Sequence, residues 1–154
     1  MLFIEATIKA IKEIDRTEGG YKVVSGIQAK VRRAGIGAML AMGPFNYPFN
    51  ETYTTLIPAL LMGNTVVMKI PTVGGLAHVL TMDAYAKCLP PGTMNFVSGP
   101  GRVTMSPVMK TGLDVFAFIG GSKAADILLK EHPAPHRLTV LQRLSSIKLT
   151  YALS

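Results

Sequence analysis

The chain has 154 residues, 49% of them hydrophobic and 16% charged, and a formal net charge of +7. That composition belongs to an ordered globular chain, long enough for one domain with a real core and too short for two substantial ones. It excludes a membrane-spanning protein, because no apolar run approaches the roughly 18 residues a bilayer requires. It also argues against a nucleic-acid binder, because the sixteen Lys and Arg are scattered and form no run longer than Arg32-Arg33.

Leu2 to Asp15 carries apolar residues at Ile4, Ile8, Ile11 and Ile14 with Lys9, Lys12 and Glu13 between them, the pattern of an amphipathic helix. Met1 opens it with no small-residue cleavage site, so no signal peptide is expected and a cytoplasmic or organelle-matrix location is. Gly19-Gly20 ends the helix, and Tyr21 to Val24 and Ala29 to Arg33 are expected as a pair of short strands. From Ile36 the chain alternates. Strand Ile36 to Met42, apolar throughout as a strand buried on both faces should be, precedes a helix from Glu51 to Met62 that Gly63-Asn64 terminates. Strand Thr65 to Lys69 leads through Pro71 and Gly74-Gly75 to a helix over Leu76 to Cys88. Strand Met94 to Val97 is followed by Gly99-Pro100-Gly101 and a helix around Val103 to Lys110. Strand Val115 to Ile119 runs through Gly120-Gly121-Ser122 into a helix from Lys123 to about Glu131, and Leu138 to Leu141 opens a last strand. Repeated βα units imply an α/β fold with a parallel sheet and helices on both faces, since right-handed crossovers allow little else. The organisation expected is a helix and strand pair over 1–33, a sheet domain over 34–142 and an irregular tail over 143–154.

Open α/β sheets place ligands in loops at the carboxyl ends of their strands, so those loops hold the candidates. Asn46 lies in Gly43-Pro44-Phe45-Asn46-Tyr47-Pro48, between two bulky neighbours and ahead of a proline that keeps the loop extended. A neutral amide fixed in this way either donates to a developing oxyanion or hydrogen-bonds the loop backbone. Lys69, closing its strand, is placed either to meet ribose hydroxyls and phosphate or to stand solvated at the strand end. Gly120-Gly121-Ser122 and Gly99-Pro100-Gly101 offer backbone N–H groups at helix starts, or are plain punctuation. Neither the Gly-x-Gly-x-x-Gly dinucleotide fingerprint nor a P-loop is present. Cys88, the only cysteine, closes a helix, the wrong dipole end for activating a thiol, and reads as structural. His78, His132 and His136 do not make a metal-ligand spacing, with Pro133 and Pro135 breaking any helix that would align the last two, so no metal is expected.

Taken in order, Gly43-Pro44-Phe45-Asn46-Tyr47-Pro48, Ile57 to Lys69, Pro90 to Asn95 and Phe118 to Ser122 resemble the aldehyde dehydrogenase superfamily over about Val31 to Leu141. Asn50 to Thr55, Phe116 to Gly120 and His132 to Arg137 look most like its non-phosphorylating, NADP-dependent glyceraldehyde-3-phosphate dehydrogenases. The resemblance implies an incomplete Rossmann-like parallel sheet, as in that superfamily's cofactor domain. It implies that Asn46 supports a thiohemiacetal oxyanion and that Pro44 and Phe45 lie along the cofactor. Lys69 then contacts the adenosine ribose or its 2′-phosphate, and Gly101, Phe118, Gly120, Gly121 and Ser122 flank adenine and pyrophosphate. Thr72 falls where many NAD-using members carry a carboxylate against the ribose, so NADP is favoured, with NAD as the other option.

The departures are Lys69-Ile70-Pro71 for the family's Lys-Pro and Phe118-Ile119-Gly120-Gly121 for its Phe-Thr-Gly-Ser. The superfamily's nucleophilic cysteine and general-base glutamate lie beyond the matched region and have no counterpart here. The resemblance therefore implies a truncated aldehyde oxidoreductase, inactive alone, that would use a small aldehyde such as glyceraldehyde-3-phosphate when intact. The alternative is a degenerate nucleotide-binding or subunit-interaction module. Members of the family assemble as homo-oligomers, and Arg16 is a candidate for a substrate phosphate.

Overall fold

In a computed structural model that describes residues 2–144, the chain forms a five-stranded parallel sheet covered on both faces, preceded by a helix and a hairpin. Helix α1 (Leu2–Glu18) runs one turn beyond the expected end and buries no residue. Strands β1 (Tyr21–Val24) and β2 (Ile27–Lys30) pair antiparallel with Val24 opposite Ile27, and every residue of both is exposed. The second strand was expected at Ala29 to Arg33. It starts earlier because Ser25 (φ 51°) and Gly26 (φ 79°) are both left-handed, a two-residue turn whose twist matches the strands.

Strand β3 (Ala38–Met42) leads to α2 (Asn50–Leu61), β4 (Thr65–Lys69), α3 (Leu76–Cys88) and β5 (Met94–Val97). The chain continues through α4 (Gly101–Lys110), β6 (Val115–Gly120), α5 (Ser122–Glu131), a short 3-10 turn at Pro135–Arg137 and β7 (Thr139–Leu144). The sheet order is β5-β4-β3-β6-β7, every neighbouring pair parallel. Strand β7 crosses the expected boundary at 142/143, pairing Arg143 with Ile119 and Leu144 with Gly120. The remainder of the expected tail, 145–154, lies outside the described residues.

Alternation along the central strands divides the core in two. Met39 and Ala41, Val66 and Met68, and Val115 and Ala117 face α2, with Tyr53 and Leu56 buried against them and Tyr85 of α3 packed alongside. Leu40, Phe116 and Phe118 face the other way, onto Met105 and Met109 of α4 and Ala125 and Leu128 of α5. Helices α2 and α3 thus cover one face and α4 and α5 the other. The winding reverses between β3 and β6, and there the loops leaving adjacent strands part to opposite faces and open a crevice.

Two polar side chains fix where β3 begins. Asn64, nearly buried, accepts from the N–H groups of Ile36 (2.6 Å) and Gly37 (3.1 Å) and donates to the Ala59 carbonyl (2.9 Å). Asp114 accepts from the N–H of Ala38 at 2.8 Å, and Gly37 (φ 142°) has no room for a side chain beside that carboxylate. The strand therefore starts at Ala38, two residues after the expected Ile36. No helix among the described residues is long and apolar enough to cross a membrane.

Candidate functional site

The loop from Gly43 to Phe49 is carried between β3 and α2. Its far end is pinned by the helix: the Thr52 hydroxyl donates to the Pro48 carbonyl (2.6 Å), and the amides of Glu51 and Tyr53 reach the carbonyls of Tyr47 (3.3 Å) and Phe49 (3.0 Å). Its flank leans on the turn after β4. A Cβ on Gly74, which is left-handed at φ 76°, would stand 2.9 Å from Pro48 Cγ and 3.3 Å from the Phe45 carbonyl. Between these supports Phe45, Asn46 and Tyr47 project outward and are exposed, and the Asn46 side chain has no hydrogen-bond partner among the described residues.

Seven of the ten residues singled out from the sequence line one groove of about 450 Å³ at the carboxyl edge of the sheet: Pro44, Phe45, Asn46, Lys69, Thr72, Gly120 and Gly121. Gly43, Pro71, Val73 and Ile119 complete it. The groove spans the loops after β3, β4 and β6, across the switch point. Gly101 and Ser122 do not line it; they open α4 and α5 at the same edge. Phe118 is not in the groove either. Its ring is in the core, stacked on Phe116 with centroids 5.5 Å apart. That ring lies 2.6 Å from where a Cβ on Gly120 would stand, so it touches the groove only through the glycine it requires. Arg16 is on α1, paired with Glu13 at 2.6 Å, and is not among the groove residues. Cys88 is exposed at the end of α3, and helices that follow strands in such a sheet run back to the amino edge, away from the groove.

The groove's electrostatics come from one side chain and several bare amides. Lys69 is half-buried, and desolvation pushes its ammonium below the usual lysine range. It forms no ion pair or hydrogen bond among the described residues, so its charge is available to an incoming anion. A Cβ built on Gly121 or Gly101 would meet nothing within 4 Å, and no side chain caps α5 or α4, so their starts carry the positive ends of the helix dipoles without a capping oxygen. Arg102 and Lys123, in those first turns, add positive charge at this edge. No cluster of three or more His, Cys, Asp or Glu occurs among the described residues.

A doubly wound parallel sheet with an unpaired cation and uncovered glycine backbone at its switch point is the architecture of a dinucleotide-binding α/β domain. The chain belongs to the aldehyde dehydrogenase family, whose sequence profile matches residues 2–143. It is 43% identical over 76 residues to the NADP-dependent glyceraldehyde-3-phosphate dehydrogenase of Streptococcus equinus, covering 49% of this chain and 16% of that protein. The enzyme of the same name from Scenedesmus vacuolatus is 37% identical over 102 residues, 62% of this chain and 42% of that protein. The crystal structure of the NADP-dependent glyceraldehyde-3-phosphate dehydrogenase from Bacillus halodurans C-125 complexed with NADP matches with a TM-score of 0.72 at 26% identity, over 92% of this chain and 31% of that one. The chain thus spans less than half the length of the relatives it matches.

Proposed function

We propose that the chain is the cofactor-binding part of an NADP-using aldehyde oxidoreductase, with residues 34–142 as the nucleotide-binding body. The relatives named for NADP and glyceraldehyde-3-phosphate support this reading. The observation that carries it is the meeting of Asn46, Lys69, Thr72 and Gly120-Gly121 in one groove with the lysine left unpaired. The dinucleotide supplies a hydride acceptor when bound. Lys69 meets the adenosine ribose and its 2′-phosphate, which the neutral Thr72 tolerates where a carboxylate would repel it. The α5 amides beyond Gly121 meet the pyrophosphate, and Pro44 and Phe45 lie along the cofactor. Asn46, outward and free of partners, aims a neutral NH₂ donor at the place where an aldehyde oxygen gathers negative charge.

The reading separates binding from turnover. Calorimetric titration should show NADP bound more tightly than NAD, by about 10-fold or more given a charge-assisted contact of about 1.5–3 kcal/mol at the phosphate. NADPH production from glyceraldehyde-3-phosphate by the purified chain should stay at background, because its only thiol, Cys88, is remote from Asn46. Absence of nucleotide binding by the folded chain would overturn the first statement, and turnover the second. A second reading, subunit contact, rests on the β1–β2 hairpin, where Tyr21, Val23, Val24 and Ile27 are each about two-thirds exposed. Sedimentation of the chain against a Val23→Lys/Ile27→Lys variant tests it.

A further inference from the structure

His78, third residue of α3, is fully buried, and neither of its ring nitrogens has a hydrogen-bond partner among the described residues. Such a placement is costly, and an apolar ring would fill the same volume without that penalty. Its surroundings show what it bears on. The imidazole stacks on Tyr53 of α2 (centroids 5.6 Å apart, planes at 10°) and on Phe49 (6.1 Å, 13°), while Phe49 and Tyr53 stack on one another at 4.1 Å. Phe49 ends the Asn46 loop. From the loop side the ring also faces the Pro48 carbonyl, the same oxygen that Thr52 already holds. The base of the loop therefore rests on a stack of three flat rings, one of which can acquire a charge.

We propose that His78 is the positioning residue of the Asn46 loop: as a neutral ring stacked on Tyr53 it holds Phe49 against α2, and protonation of the buried ring breaks the stack and frees the loop. Burial pushes the ring below the usual histidine range and the Pro48 carbonyl opposes this more weakly, so the neutral form prevails at neutral pH. Tyr53 is the titratable group that faces the ring from α2, and the others carried by α2 and the loop are Glu51, in α2's first turn, and Tyr47. Its own helix contributes Thr81, whose hydroxyl donates to the His78 carbonyl and pairs with Tyr53 Oη. The consequence for dinucleotide affinity rests on the proposed function; the coupling between ring and loop does not.

The experiment is an NMR pH titration of the labelled full chain. The His78 ring protons, the Asn46 side-chain amide and the backbone amides of Phe45 and Tyr47 should share one midpoint below about 6.5, and that midpoint should survive Glu51→Gln. In His78→Phe, which keeps the stack, the loop signals should no longer respond over that range. Loop signals that ignore His78 in the unmodified chain, that titrate unchanged in His78→Phe, or a collapse of the whole spectrum at the same midpoint would each overturn the proposal. Should His78→Phe not fold, the shared midpoint of the unmodified chain decides. NADP affinity should fall at least 5-fold through the same midpoint. Binding that is intact and indifferent to pH counts against His78, whereas no binding at any pH counts against the proposed function and leaves the shared midpoint to judge this one.

Discussion

Replacing Gly43 with alanine adds one methyl group where β3 turns into the Asn46 loop, and that methyl runs into the Thr52 hydroxyl and stands 2.9 Å from Thr52 Cβ. Non-bonded carbons rest about 3.5–4.0 Å apart, so the first turn of α2 must retreat by about 0.6–1.1 Å. The hydroxyl must also leave, breaking its 2.6 Å bond to the Pro48 carbonyl in a residue only 2% exposed. Overpacking of this kind costs about 1–3 kcal/mol and the lost buried bond about 1 kcal/mol more, so Gly43→Ala should destabilise the chain by about 2–4 kcal/mol. Thr52→Ala alone should cost about 1 kcal/mol. With the hydroxyl already gone, adding Gly43→Ala should cost about 1 kcal/mol less than it does alone, or better. Urea denaturation of the two single variants and the double variant, followed by circular dichroism, measures the cycle. Additivity to within about 0.5 kcal/mol would show that the two residues are not in contact, and the account of what anchors the loop would fall.

Lys69→Met should lower NADP affinity by about 10–150-fold, the range of a charge-assisted contact of 1.5–3 kcal/mol, while barely altering the urea midpoint because the ammonium has no protein partner. Equal losses for NADP and NAD in the same titration would count against a 2′-phosphate contact. His132 is buried, with Nε2 donating to the Leu113 carbonyl (2.7 Å) and Nδ1 accepting from the Ala134 amide (3.1 Å), so His132→Phe should cost about 2–4 kcal/mol in urea. A cost under about 0.5 kcal/mol would refute both bonds. Lys110 foremost, then Ser106, hold the Glu131 carboxyl below the usual carboxylate range. The stability this gives is present above the ordinary value and is lost as pH falls through the lower folded one. In acid titrations monitored by circular dichroism Glu131→Gln should flatten that part of the curve, and an unchanged acid limb would count against the α4–α5 link.

The alternation of strand and helix was legible because the central strands β3, β4 and β6 are apolar on both faces over most of their length, as strands covered by helices on both sides must be. Met39 and Ala41 face one layer and Leu40 the other, and no solvent-facing period remained to confuse the reading. The errors fall where a single contact decides. Ile36 and Gly37 look like strand, but the Asn64 amide takes both their N–H groups before the ladder with β4 begins at Ala38. Asn64 itself reads locally as the end of a helix, and its reach across 28 positions has no sequence signature. The hairpin register depended on Ser25 adopting a left-handed conformation that its residue type does not favour. Strand β7 extends past Leu141 because β6 offers a long parallel edge, a property of the partner that the segment itself does not display.

At the site, the order of the loops was legible and the direction of the side chains was not. Phe118 and Gly120 lie on the same side of β6, and only the packing shows that one ring fills the space that the other residue leaves empty. His78 gave no signal because an orphaned ring is defined by what surrounds it. The same geometry bears on the chemistry. Helix α3, 13 residues and about 20 Å long, carries Cys88 away from the strand ends that hold Asn46, so the donor amide and the chain's one thiol face opposite edges of the sheet. An oxyanion donor has nothing to stabilise until a nucleophile attacks a carbonyl within about 3 Å of it. On the proposed function the groove selects and orients a dinucleotide, and bond formation beside Asn46 calls for a thiolate that Cys88 does not supply.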